Sequence, residues 1–444
     1  MPVERGTTGK ITFSSLIDTI KGVFTSFSDC RKGDNKQYSI EDIALSAFSV
    51  FFTQSPSFLA YQTKMQQSKG RSNCQSIFNI ERIPSDNQIR NILDEVDPET
   101  VYPAFDKILD LLNESLILND FRCIKNSLYL VLDGTQYFSS NQIHCSKCNK
   151  TLDKKTGETT YSHSVITPAF VSPKYRKALA MGPEFIHKQD GNKKEDCERN
   201  ASKRWMARLG DKLSELDITI GGDDLYANQP FCEQIVENEM NFLFVCKPLS
   251  HKWLYEWVDI HEKEGEVKSF HRESGTGQKK QTYSYRYTEN LPLRDSEDAL
   301  KVNWLEIIVH DMNGNRLFRN AFITNHILDS DETVVEVAAA GRARWKIENE
   351  NNNTLKTKGY HLEHNFGHGD NHLSETLATL NILAFLFHTL LELYDRRYQL
   401  IRKTLPRRDM FFEDVRALTR YFLFDSWNHL MLTMLEGLEL EDPG

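Results

Sequence analysis

Two short apolar runs in the middle of the chain each end in an acidic residue. SLYLVLDGTQYF is rich in β-favouring side chains up to Asp133, and DITIGGDDLY is similar up to Asp223. The intervening NASKRWMARLGDKLSEL has apolar residues at helical spacing, and NFLFVCKP predicts a further strand. The pattern therefore predicts buried strands that bring carboxylates to their carboxyl ends.

Two further stretches combine turn residues with β-favouring residues. The segment from Ile143 to about Ser172 predicts a hairpin that supplies the second and third strands of the same sheet. Residues 249–325 predict a β-rich insertion whose strands leave that sheet. Within the insertion, Asn313-Gly314 predicts a tight hairpin turn, because Asn-Gly tolerates two successive positive φ angles.

Helical periodicity dominates both ends of the chain. IEDIALSAFSVFF and NQIRNILDEV predict helices within a separate region of residues 11 to about 118, with a capping signal where Ser85 and Asp86 follow Pro84. From Ser330 helical spacing returns in DETVVEVAAAGRARWKIENE and continues almost to the end. We therefore predict a central α/β core between two helical regions.

Length and composition indicate a globular protein. The 444 residues suit two or three domains, and 39% hydrophobic with 26% charged residues is ordinary for soluble chains. The amino end lacks the apolar core of a secretory signal, and we expect no run of about 18 apolar residues that could cross a bilayer. Eight scattered cysteines are typical of reduced thiols. These features predict a cytoplasmic protein without membrane contact.

The charge balance gives no direct sign of nucleic-acid binding. The net charge of -9 counts against a simple nucleic-acid coat protein, because phosphate binding depends on clustered Lys and Arg. Basic clusters do occur near Lys174, at Lys279 and Lys280, and from Arg396 to Arg408. Each of them fits either a solvated surface or a DNA track.

Asp133, Asp223 and Glu348 form the constellation that suggests chemistry. The order strand-acid, hairpin, helix, strand-acid, helix, strand, insertion, helix-acid is similar to that of a ribonuclease-H-like nuclease domain. Phosphoryl transfer develops charge on the attacking and leaving oxygens, which two cations about 4 Å apart can stabilise. Mg²⁺ and Mn²⁺ require oxygen ligands. Taken singly, each acid fits a turn or a helix surface equally well; together they predict a metal site.

The segment GRARWKIENENNNTLK carries a family resemblance. It resembles the Y-R-E-K signature of bacterial insertion-sequence DDE transposases, in which an Arg with three intervening residues before the catalytic Glu contacts DNA phosphate. Arg344 and Glu348 match that spacing, which places them on one helix face. The strand-end acids and the β insertion extend the resemblance over roughly residues 128–365. Two departures are present: the tyrosine position is Gly341, and the lysine position is one residue before Lys356.

The asparagines after Glu348 bear on the second departure. Asn349 and residues 351–353 are poor helix formers, so we expect a distorted helix that returns Lys356 to the site. We also expect Glu348 and not Glu350 to be the metal ligand, because residues two apart on a helix point in opposite directions. Glu350 is then expected to pair with Lys346 in solvent.

The resemblance implies a fold class, a reaction and partners. The fold is α/β, a ribonuclease-H-like catalytic domain with an inserted β region and helical terminal regions. Asp133, Asp223 and Glu348 would be catalytic and hold Mg²⁺, for which Mn²⁺ can substitute, while Arg344 and Lys356 bind DNA. Partners would be double-stranded DNA, as transposon ends and target, and a second copy in a homodimeric DNA complex. The implied regions are helical DNA-binding or assembly residues 1–120, catalytic residues 121–248, insertion 249–325, the Glu-helix region 326–375 and a helical region 376–444.

Two other functions fit the same residues. A stand-alone nuclease of this fold would cut DNA without joining strands. A domesticated DNA-binding protein without catalytic activity would do neither, although the complete Asp, Asp and Glu set favours an enzyme.

Cys145 and Cys148 stand in a spacing that lets two thiolates bind one Zn²⁺. A full site needs two more ligands, and the candidates on flanking segments form no second close pair. We therefore expect reduced cysteines at a hairpin and no structural zinc. The candidates are His144, His163, His187 and Cys197.

Aromatic and histidine residues supply weaker signals. One aromatic set predicts β-sheet core or, alternatively, surfaces for stacking on an extruded base: Trp253, Trp257, Tyr283, Tyr285, Tyr287 and Trp304. A histidine set has mixed spacing that suits neither one helix face nor a zincin motif, which favours structural or DNA-facing roles: His361, His364, His368 and His372.

Overall fold

The computed structural model describes residues 11–32, 36–65, 72–187 and 197–444. The predicted amino-terminal helices are present. Ser39 caps the second helix by accepting from the Asp42 backbone, and Ser85 forms a capping box with Gln88 at the start of the fifth, as the sequence indicated. The six helices are α1 (Phe13–Phe24), α2 (Ile40–Phe52), α3 (Phe58–Met65), α4 (Asn73–Phe78), α5 (Asp86–Leu93) and α6 (Tyr102–Glu114).

The central part alternates strands and helices. Its two innermost strands are fully buried apolar runs, as expected of parallel strands covered on both faces. The elements are β1 (Arg122–Ile124), β2 (Ser127–Val131), β3 (Gly134–Ser140), β4 (Asn149–Leu152), β5 (Thr159–Ile166), β6 (Ala169–Val171), β7 (Leu179–Ala180), β8 (Glu184–Ile186), α7 (Glu198–Ser214), β9 (Ile218–Gly222), α8 (Gln229–Glu237) and β10 (Asn241–Val245).

The remaining elements include a hairpin region and the carboxyl-terminal helices. A π-helical turn at Ile347–Asn352 interrupts the helical run that begins at Asp331. The elements are α9 (Lys252–Glu264), β11 (Lys268–Ser274), β12 (Gln281–Pro292), β13 (Lys301–Asp311), β14 (Arg316–Thr324), α10 (Asp331–Ala343), α11 (Asn353–Thr357), α12 (Leu373–Tyr394), α13 (Arg396–Thr404), α14 (Arg408–Tyr421) and α15 (Trp427–Gly437).

The strands form one large mixed sheet and one small antiparallel sheet. The large sheet has the order β11-β12-β13-β14-β10-β9-β2-β6-β7, with β1 paired to β2, and its centre is the parallel set β10, β9 and β2. The small sheet has the order β3-β5-β4, with β8 paired to β5. The protein is therefore a mixed α/β fold with helical ends.

Two expectations about the strands were wrong. The predicted hairpin does not supply two strands to the main sheet: β4 and β5 belong to the small sheet, and only β6 from that segment joins the large one. The strands of residues 249–325 do not leave the main sheet, because β14 pairs with β10 and extends it. This region also contains a helix, α9, which carries Trp253 and Trp257.

The Asn313-Gly314 hairpin is confirmed, although its turn differs in detail. β13 and β14 pair antiparallel on either side of it, and the Asp311 backbone donates to the Asn315 carbonyl at 2.9 Å. Gly314 has a φ of +81°, whereas Asn313 is not in the positive-φ region. A four-residue loop with one left-handed glycine therefore joins the strands.

The two helical ends pack on each other and do not form separate regions. Phe48 of α2 contacts Phe387 of α12 with ring centroids 4.9 Å apart, and Phe52 stacks on His388 at 4.1 Å. α12 is apolar enough to cross a membrane by length and composition, with a mean hydropathy of 1.6, which corrects our expectation that no such run exists. Because 89% of that run is buried inside the protein, α12 packs as the central core helix.

Candidate functional site

The parallel pairing of β2 and β9 aligns the first two predicted acids. Val131 lies opposite Gly221, so two residues further along each strand Asp133 and Asp223 leave the sheet side by side. Gly221 and Gly222, at the end of β9, leave space for aromatic rings beside the backbone. A Cβ on Gly221 would lie 2.4 Å from the Tyr129 ring, and one on Gly222 would lie 2.5 Å from the Tyr226 ring. The glycines therefore let aromatic rings close over the strand that presents Asp223.

The third predicted acid approaches from the helical run after β14. Glu348 lies in the π-helical turn, and Arg344 contacts its carboxylate at 2.7 Å across one turn. Burial raises the pKa of Asp133 to about 7, with Glu348 and then Asp223 adding to the rise and Arg344 opposing it. The structure thus brings Asp133, Asp223, Glu348 and Arg344 to one edge of the sheet.

A fourth acid, Glu198, lies at the same edge and was missed in the sequence. It is the first residue of α7, and its carboxylate lies so close to Gly134 that a Cβ there would be 2.4 Å from its Cδ. Burial raises the pKa of Glu198, and Asp223 raises it further. Nothing local distinguishes Glu198 from an ordinary helix-start acid. We call Asp133, Asp223, Glu348 and Glu198 the carboxylate cluster.

Asn352 holds the Asp133 carboxylate in place. Its Nδ2 donates to Asp133 Oδ2 at 2.7 Å, while its Oδ1 accepts from Thr167 Oγ1 at 2.6 Å and from Asn351 Nδ2 at 3.0 Å. Because the amide is buried and bonded on both sides, it fixes the rotamer of Asp133. The sequence suggested only that these asparagines disturb a helix, and the π-helical turn is that disturbance.

The two members of the Asp223-Asp224 pair have different surroundings. Asp223 accepts from the Leu225 backbone at 2.9 Å in a local turn and interacts electrostatically with Asp133 and Glu198. Asp224 accepts from the Lys247 backbone at 2.6 Å and lies 3.3 Å from His251. Asp224 therefore ties the end of β9 to the loop after β10, and Asp223 is left for the cluster.

The two glutamates of RWKIENE also separate. Glu350 pairs with Arg176 at 3.0 Å, whereas Glu348 is the acid that raises the pKa of Asp133 most. The expected Glu350–Lys346 pair in solvent was wrong, since the Lys346 ammonium is buried and donates to the Ser172 and Tyr175 carbonyls. Glu348 is the acid that faces the cluster.

Lys356 pairs with an acid that is not part of the carboxylate cluster. Its Nζ lies 3.0 Å from Glu363. Arg344 itself is largely buried, and its Nη1 has no hydrogen-bond partner among the described residues. This nitrogen is therefore an enclosed donor without a hydrogen bond, which is unusual for a buried polar group.

The basic clusters have different exposures. Arg402 is buried among the Leu405, Pro406 and Arg407 carbonyls, and Arg408 pairs with Glu392 at 3.0 Å, so the run from 396 to 408 is partly structural. Arg176, in contrast, has an 83% exposed side chain beside Glu350.

The aromatic set divides between strand core and helix. Tyr285, Tyr287 and Trp304 are buried in the large sheet, which agrees with the sheet-core interpretation. Trp253 and Trp257 are half-buried on α9 and are not strand residues.

A second cluster was not expected from the sequence. Cys145 and Cys148 meet His163 and His368, and their four ligand atoms lie within 4.8 Å of one another. This Cys–His cluster corrects one expectation, because the cysteine pair does have two potential partner ligands, and it places His368 beside the cysteines. His163 had been named as a candidate, whereas His144, His187 and Cys197 are not members. Burial lowers the pKa of His163 to about 3, so its ring is neutral and can act as a ligand.

No protein-family model matches the chain, and no curated protein matches it significantly. The two clusters and the fold therefore carry the functional argument alone.

Proposed function

We propose that the protein is a DDE transposase, which cleaves DNA at transposon ends and transfers the freed 3′-hydroxyl into target DNA. The observation that carries the proposal is the convergence of Asp133, Asp223 and Glu348, with Arg344, at the carboxyl ends of parallel strands. Three segments far apart in the chain supply these residues, and their meeting is the arrangement that a phosphoryl-transfer site requires.

The order of elements supports a ribonuclease-H-like catalytic core. Strand β2 ends at the first acid, β9 lies beside it and ends at the second, and the helical run after the β region supplies the third. The β region extends the large sheet through the pairing of β14 with β10, and in the proposed core it would be an addition at that edge.

The donor chemistry of the carboxylate cluster fits a hard divalent cation. All four side chains offer oxygen, the ligand that Mg²⁺ and Mn²⁺ prefer, and four acids face one arginine. When bound there, such ions would stabilise charge on the attacking and leaving oxygens of a phosphodiester. Asp133, Asp223 and Glu348 would hold them, and Glu348 would exchange its contact with Arg344 for this purpose.

The remaining residues position the substrate and the ligands. Arg344 places its positive charge beside the acids and would hold a phosphate oxygen once Glu348 gives up its contact with the guanidinium. Asn352 keeps the Asp133 carboxylate oriented towards the edge. Water and then a DNA 3′-hydroxyl would be the nucleophiles, so no protein residue needs to form a covalent bond.

The test uses the full chain with labelled duplexes from DNA flanking its coding region and a supercoiled plasmid as target. Cleavage and joining in Mg²⁺, lost in Asp223→Asn and retained in Asp224→Asn, are expected. Cleavage without joining would instead indicate a stand-alone nuclease. Metal-independent DNA binding without cleavage would indicate a silent DNA-binding protein and would overturn the proposal.

A further inference from the structure

The Cys–His cluster has the dimensions of a tetrahedral metal site. Zinc bonds of about 2.3 Å to sulfur and 2.0–2.1 Å to nitrogen place ligand atoms about 3.3–3.8 Å apart. The two Sγ atoms are 3.9 Å apart, and His163 Nε2 lies 3.5 Å from Cys145 Sγ and 3.4 Å from Cys148 Sγ. His368 Nε2 lies 3.4 Å from both Cys148 Sγ and His163 Nε2. Four side chains from three segments thus surround a single point.

We infer that Cys145, Cys148, His163 and His368 bind one structural Zn²⁺. This inference is independent of the proposed transposase activity, because none of these residues belongs to the carboxylate cluster. Two thiolates and two imidazoles select zinc over Mg²⁺ or Mn²⁺, which need oxygen. Four protein ligands also fill a tetrahedron, so no position is left for water or substrate.

A disulfide does not explain the arrangement. The sulfur atoms are 3.9 Å apart, whereas a disulfide bond is about 2.0 Å long. The Cys145 backbone N–H points at Cys148 Sγ at 3.4 Å, and such a hydrogen bond favours a thiolate. Simple packing would not direct His163 Nε2 at both sulfurs and His368 Nε2 at one of them.

The site joins three segments that are far apart along the chain. The cysteines lie in the loop between β3 and β4, His163 lies in β5, and His368 lies in the loop before α12. β4 is almost fully exposed, so this end of the small sheet buries little apolar surface of its own. A metal that crosslinks the sheet to the α12 loop would add to the ion pair between Lys147 and Glu375, 3.1 Å apart, which connects the cysteine loop to α12.

Metal analysis of the untagged full-length protein, purified from zinc-supplemented medium without chelator, tests the inference directly. We expect about one zinc per chain. Cys148→Ser and His368→Ala should each lose it, while Cys30→Ser, at an exposed cysteine elsewhere, should retain it. A wild-type chain without zinc, or zinc retained in both ligand variants, would overturn the inference.

Spectroscopy on the wild-type protein removes any dependence on how the variants fold. X-ray absorption at the zinc edge should show two sulfur and two nitrogen neighbours at about 2.3 and 2.0–2.1 Å. Cobalt substitution should give the intense visible bands of a tetrahedral thiolate site. An all-oxygen or all-nitrogen shell, or mass-spectrometric evidence of a Cys145–Cys148 disulfide in the native protein, would contradict the assignment.

Discussion

The carboxylate cluster and the Cys–His cluster lie near opposite ends of the strand β3 and differ in how complete they are. The four Cys and His ligand atoms lie within 4.8 Å of one another. Among the described residues, no group of acids has its carboxylate oxygens this close together. In the carboxylate cluster, Glu348 is held by Arg344 and Asp133 by Asn352. The ligand atoms of the Cys–His cluster are already close enough to bind one ion. The carboxylates of Glu348 and Asp133 are instead bonded to Arg344 and Asn352.

This difference separates a site that holds structure from one that exchanges ligands. A closed set of thiolates and imidazoles gains nothing from solvent access, and it can sit on an exposed strand pair as a crosslink. An open set of acids carries excess negative charge, which favours cations and phosphate-bound metal that come and go. The four experiments below test this division, beginning with the largest expected effect.

Asp133→Asn should lower the rate of metal-dependent DNA cleavage by about a thousandfold or more, because loss of a metal ligand removes several kcal/mol of charge stabilisation. Duplex binding measured by fluorescence anisotropy should persist, and the thermal midpoint should not fall, because burial disfavours the charged form of this carboxyl. Cleavage at the wild-type rate would show that the carboxylate cluster is not the reaction centre.

Glu348→Gln should reduce cleavage by about a hundredfold or more, whereas Glu350→Gln should leave it within a few fold. Glu348 is the nearby acid that raises the pKa of Asp133 most, while Glu350 pairs with exposed Arg176. Both substitutions remove one charge with little change in shape, so each serves as the control for the other. The reverse pattern would move the ligand role to Glu350.

Asn352→Ala should lower cleavage by about 10–100-fold, the usual effect of removing a residue that orients a metal ligand. Asn349→Ala is the matched control, since Asn349 is exposed in the same turn. The Mg²⁺ concentration at half-maximal rate should rise in Asn352→Ala alone. Equal rates for the two variants would mean that Asp133 needs no support.

Removal of zinc should lower the thermal midpoint by roughly 5 °C or more yet change cleavage only a few fold at temperatures below the new midpoint. The measurement compares differential scanning calorimetry with cleavage assays, both after treatment with a zinc-selective chelator and return to Mg²⁺ buffer. Complete loss of cleavage in a chain that is still folded would show that the Cys–His cluster is needed for the reaction and not only for stability.

The carboxylate cluster was accessible from the sequence because strand exits are local features. Asp133 and Asp223 each follow an apolar run, and parallel strands put their carboxyl ends together. Arg344 and Glu348 share a helix face, which fixes their contact from spacing alone. Glu198 carries no comparable mark, because its approach depends on the absence of a side chain at Gly134.

The Cys–His cluster could not be assembled in the same way. Cys145 and Cys148 form a local pair, but His163 reaches them through a β hairpin and His368 through a loop far along the chain. The sheet extension was hidden for a similar reason, since alternation predicts strands and does not reveal which edge they join. Long-range pairing is the part of the fold that a single sequence leaves open.

The π-helical turn at Ile347–Asn352 also changes the direction in which the following side chains point from the helix axis. Its hydrogen bonds span five residues and not four, so it accommodates one more residue per turn than an α-helix does. One residue corresponds to a rotation of about 100° in an α-helix. The wide turn therefore sets the angle between Glu348 and Asn352 about the helix axis. Removing one residue from the turn would therefore leave Glu348 in place and rotate Asn352, with its hold on Asp133, out of the cluster.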